Sequence, residues 1–195
     1  MRFLKTITTM IVACCLCVSI CFAYTEPKDT TNIEISTEQS NCDVTVRTLD
    51  EFYAHYREIT GNEWSGERPT QTTRGAIIYR VVSATKDIGA GRIVEIGCMV
   101  EIGVGQSSSW NRVYGEEYCE AVSSGSFTWS NLVTPKATMS TTKRYIDFVG
   151  RGVATVTTTS STDAGLQAAG FSLSGSSGST FYFRKTASVN ATVYQ

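Results

Sequence analysis

Three features of the sequence predict an all-β fold, mainly an antiparallel β-sandwich or open barrel with one short N-terminal amphipathic helix packed on it. Apolar residues alternate with polar ones over several short stretches, most clearly from Arg92 to Val104, and a period of two is the signature of a strand with one buried face. Gly- and Ser-rich turns separate these stretches at close spacing, as in sandwiches and barrels. Only one segment, just after Cys42, carries helical periodicity.

Before any of this comes an export signal. Arg2 and Lys5 precede an uncharged apolar run from Ile7 to Phe22, and Cys21-Phe22-Ala23 places small residues at −3 and −1 of a cut after Ala23. The run is short for a membrane span and is closely followed by Glu26, Lys28 and Asp29. Lipid attachment is the weaker reading, because Ile20 and Leu16 precede Cys21 and Cys17 where a small residue is wanted. The expectation is therefore a secreted, extracytoplasmic chain with no membrane span in its mature form. Its domains would be a signal peptide (1–23), a flexible polar leader (24–41) and one β-rich domain (42–195).

Cys42, Val44 and Val46 alternate with polar neighbours as a first strand. Thr48-Leu49-Asp50-Glu51 then matches a capping box. Leu49, Phe52, Tyr53, Tyr56 and Ile59 follow on one helical face, and Gly61 supplies the stop. Asp50, His55, Arg57 and Glu58 take the opposite face, where His55 reads as a plain solvated residue. Three turns of helix are marginal alone in water, so this one must lie on a sheet.

Gly61 to Arg74 is a polar loop holding Trp64, and Ala76 to Ser83 the next strand. Asp87 to Gly91 is a turn. In the strand that follows, Val94, Ile96, Cys98, Val100 and Ile102 share a core face, while Glu95, Gly97, Met99 and Glu101 share a face that is wet or only partly covered. Gly105 to Ser109 turns the chain into a returning strand, Val113 to Val122. Further strands are expected at Phe127–Val133, Lys143–Val149, Val153–Thr158, Gly170–Leu173, Phe181–Thr186 and Val189–Tyr194. Gly150-Arg151-Gly152 reads as a bulge or bend, Asp163 to Ala169 as one helical turn, and Ser174 to Ser179 as a hairpin tip.

The chemistry is sparse. Of seven cysteines, Cys42, Cys98 and Cys119 outlast the signal, and export favours oxidation. A turn centred near Ser108 and Ser109 sets Cys98 opposite Cys119, the expected disulfide, with a Cys42 bridge or three reduced thiols as alternatives. His55 is the only histidine and no close cysteine pair remains, so no metal site is expected, and no cofactor. No Gly-x-Ser-x-Gly elbow or other nucleophile motif occurs. Glu95 and Glu101 lie roughly 20 Å apart along one strand, too far for a glycosidase pair. Trp64 and Trp110, in polar loops, are the rings expected to be exposed and to contact a ligand.

The chain carries 17 basic and 18 acidic side chains. Loss of Arg2 and Lys5 leaves it at −3, which argues against a nucleic-acid partner. No stretch is specific enough to assign a family. The sequence thus leads to a secreted non-catalytic binder of an extracellular protein, a glycan or the envelope, leaning away from an enzyme and leaving oligomeric state open. The alternatives are a small secreted hydrolase with a scattered site and a self-assembling surface component.

Overall fold

Two antiparallel sheets stack face to face, and a helix covers the outer face of one of them. The computed structural model describes residues 42–70, 77–103, 110–122 and 127–195; the expected export signal, the expected polar leader and the expected turn at Gly105–Ser109 lie outside the described residues. The first sheet has the order β1 (Cys42–Arg47), β2 (Ile77–Asp87), β3 (Ile93–Gly103), β4 (Trp110–Ala121), a simple meander. The second is built on two long central strands, β7 (Tyr145–Thr158) and β9 (Thr180–Tyr194), and β8 (Ser172–Ser177) flanks β9. On the other edge of β7, β6 (Lys136–Met139) pairs with its first half and β5 (Phe127–Asn131) with its second. Helix α1 (Leu49–Thr60) follows β1, and α2 (Ala164–Ala168) is a single capped turn before β8.

The alternation in β3 sorts its residues as expected. Val94, Ile96, Cys98, Val100 and Ile102 point into the core between the sheets, where they meet Ile146, Phe148, Val156, Phe183, Val189 and Val193. The opposite face of β3 is covered rather than wet. Phe52 of α1, with Trp64 from the loop after it, packs on Val81, Met99 and Tyr118 to make a second, smaller apolar cluster. The first sheet is therefore the middle layer of three. The capping box forms as the sequence requires: Thr48 Oγ1 accepts from the Glu51 amide and Glu51 Oε2 from the Thr48 amide. Gly61 closes the helix in the left-handed conformation, φ 71°, which a glycine adopts without steric cost.

Several boundaries differ from expectation. The Gly150–Gly152 step is no bulge, because β7 pairs with β9 in unbroken register from Tyr145↔Tyr194 to Thr158↔Phe181. The glycines answer to close packing instead: a Cβ on Gly150 would lie 2.9 Å from the Ile96 side chain, and one on Gly152 2.4 Å from the Trp129 ring. The two strands expected before the C-terminus are one, β9. The expected Gly/Ser hairpin tip shrinks to Gly178 and Ser179, since Ser174 to Ser177 belong to β8. Strand β6 is short and has no strong alternation, so the sequence hid it.

The expected Cys98–Cys119 disulfide is not formed, and all three described cysteines are buried free thiols. The register explains why. Ile96, not Cys98, pairs with Cys119, and the ladder then shifts between Gly97 and Met99. Cys98 and Cys119 are left on a diagonal, where Cα atoms stand roughly 7–8 Å apart, longer than a disulfide accepts.

Candidate functional site

Polar chemistry concentrates where α1 crosses the first sheet. Glu95 projects from β3 toward the helix and is fully buried. Three other strands and the helix converge on it. Arg47, the last residue of β1, grips it with both guanidinium nitrogens, Nη1 to Oε1 at 2.8 Å and Nη2 to Oε2 at 3.4 Å. The same Nη1 donates to Ser83 Oγ of β2 at 2.9 Å. Tyr118 of β4 donates its hydroxyl to Oε1 at 2.5 Å, and His55 of α1 brings Nε2 within 3.0 Å of Oε2.

Gly97 makes this possible. It pairs with Tyr118 across the ladder, and with no side chain at 97 the phenol ring lies over the strand; a Cβ there would sit 2.7 Å from the ring and its hydroxyl. Burial alone would raise the Glu95 carboxyl. The Tyr118 hydroxyl and the neighbouring Arg47 and His55 outweigh it and hold the group below its ordinary value. Burial, reinforced by the Glu95 charge, pushes the Tyr118 phenol well above its own. Glu95 is thus a saturated acceptor whose partners favour its charged form. It locks the helix down and has no free oxygen with which to move a proton.

His55 is therefore not the solvated residue expected on the polar helix face; it is the helix's polar foot. The period-3.6 pattern could not show this, because the partner lies 40 residues away. Trp64 and Trp110 also depart from expectation, both being buried rather than exposed. Trp64 stands edge-on to Phe52 and Tyr56 at 5.2 and 5.0 Å between ring centres. Trp110 begins β4 between the sheets, and its indole N–H has no hydrogen-bond partner among the described residues. Cys98 faces the same core, burial pushing its thiol up, and Cys119 is raised to about 12 for the same reason. Neither is a nucleophile in this environment.

Beside the Glu95 cluster the surface opens. Strand β1 ends at Arg47, paired with Val81, so Ile77 to Arg80 of β2 continue past it with no partner from β1. The chain turns there into α1, and a cleft of about 490 Å³ lies between the helix start, the loop and β2. Thr48, Leu49 and Asp50 line one side, Arg68 and Pro69 another, with Tyr53 and Arg80 completing it. Arg68 lies over the Tyr53 ring, 4.7 Å from its centre. The Tyr53 hydroxyl is buried and has no hydrogen-bond partner among the described residues, a cost of roughly 1–3 kcal/mol where nothing satisfies it. Arg80 donates to the Tyr79 carbonyl at 3.0 Å and has no carboxylate within ion-pair distance among the described residues. The sequence signals for this site were weak: Arg68 and Arg80 carry no motif, and only the register where β1 stops brings them together.

No protein-family model matches the chain, and neither a curated protein nor a solved structure does. Among the described residues no helix is long and apolar enough to cross a membrane.

Proposed function

We propose that this is a secreted, non-catalytic recognition protein that takes its partner in the cleft at the β1–α1 corner. One observation carries the reading: the corner holds a cavity of about 490 Å³, within the range of small-ligand sites, on a helix riveted to the sheet by a buried carboxylate. Such a mount keeps the lining in place before a ligand arrives. The polar cluster supports binding over hydrolysis. His55 is bonded to Glu95, both oxygens of that carboxylate are taken, and the buried thiols Cys98 and Cys119 belong to the core on the other face of the sheet. The export segment supports an extracytoplasmic site of action.

The test is a glycan array and an envelope-fraction binding assay with the purified protein and with Asp50→Trp, which fills the cleft mouth from an exposed helix position. Loss of binding in the variant is expected, and binding that survives it places recognition elsewhere. A second reading, self-assembly, is favoured by β8, whose residues are all exposed and whose outer edge pairs with no other strand among the described residues. Sedimentation at rising concentration decides it, since a monomer throughout is incompatible with assembly.

A further inference from the structure

Building on that reading of the cleft, we propose that its ligand is a small carboxylate that also carries adjacent hydrogen-bond donors, held by the guanidinium groups of Arg68 and Arg80. The lining contains two positive side chains and one negative, Asp50. Glu51, next along the helix, is held by the capping box, and its charge also bears on Arg80. Each guanidinium has five N–H donors in a planar fork. Their bonds within the described fold use few of them: Arg68 Nη2 donates to the Trp64 carbonyl at 3.2 Å and forms an exposed ion pair with Glu63 at 3.6 Å, and Arg80 Nη1 donates to the Tyr79 carbonyl. The remaining donors match a carboxylate, the anion whose planar oxygens pair with this fork.

Asp50 narrows the class. A second anion in the same cleft repels a bare carboxylate and rewards a ligand that brings hydroxyls or an ammonium to it. The Tyr53 hydroxyl, buried and without a hydrogen-bond partner among the described residues, adds a donor beside the Arg68 guanidinium that lies over its ring. A uronic-acid sugar and a free amino acid both fit this chemistry, the first through vicinal hydroxyls and the second through its ammonium.

Calorimetric titration of the purified protein with glucuronate, with glycine and with glucose tests it. Binding of glucuronate or glycine is expected, weakening with added salt, and whichever binds identifies the source of the carboxylate. Arg80→Gln and Arg68→Gln should each weaken it by about tenfold or more. Arg184→Gln, exposed on the far sheet, should not. Melting curves of all three variants confirm that they remain folded. The proposal is overturned if neither carboxylate binds at concentrations up to about 10 mM, or if binding ignores both arginines. A neutral array ligand lost in Asp50→Trp yet indifferent to the arginines would sink the carboxylate while leaving the cleft as the recognition site.

Discussion

The two outward faces of this sandwich are built on opposite principles. On the helix side, Val81, Ser83, Glu95, Met99 and Tyr118 are all buried, and the sheet's polar groups there, Ser83, Glu95 and Tyr118, are each hydrogen-bonded. On the far side, β7 and β9 present Val149, Arg151, Thr157, Arg184, Thr186, Ser188 and Asn190, all exposed, and that face needs no partners because water supplies them. A sheet with one wet face is complete as it stands. A face carrying a buried carboxylate is complete only when its cover is in place, so the helix, the loop and the cleft between them stand or fall with one ion cluster.

That contrast can be broken most severely at its centre. Glu95→Ala strands Arg47 and the Tyr118 hydroxyl under the helix and should cost about 3–5 kcal/mol in a denaturant titration. Phe52→Ala, which empties the apolar seat of α1, should cost a similar 3–5 kcal/mol or slightly less, with the helical signal lost before the sheet signal. Gly97→Ala should cost roughly 1–3 kcal/mol, since its Cβ pushes the phenol off Glu95.

Acid sharpens the comparison further. The Glu95 carboxyl is lowered from 4.5 in the fold, so its stabilisation is complete above the unfolded value and disappears as pH falls through the lower folded one. Glu120, raised by burial, works in the opposite sense. The difference between wild type and Glu95→Gln isolates the first: it should shrink steadily as pH falls below about 4.5, and a constant gap would contradict the assignment. At the small end, Arg184→Gln on the bare face should change stability by no more than about 0.5 kcal/mol.

The sequence announced what depends on neighbours close along the chain. β1, the capping box of α1, its Gly61 stop, the Asp87 to Gly91 turn and the two faces of β3 were all legible, because each is written in spacing over a dozen residues or fewer. What it withheld depends on register. Ile96 rather than Cys98 stands opposite Cys119 because the β3–β4 ladder starts with Ile102 against Trp110, a register that two later shifts only partly bring back toward the expected one, and no local pattern records either. His55 looked solvated because its partner sits on a strand 40 positions on. Trp64 and Trp110 looked exposed because their immediate neighbours are polar, while the surfaces that bury them come from elsewhere in the fold. The cleft was invisible for the same reason, being defined by where β1 ends against β2.

The unbridged thiols carry a last consequence. Cys42, Cys98 and Cys119 share one apolar layer between the sheets as free thiols, so the packing of the described domain owes nothing to an oxidant or to an isomerase that reshuffles wrong bridges. Among the described residues a reductant has no crosslink to cut, and its addition should leave their fold unchanged.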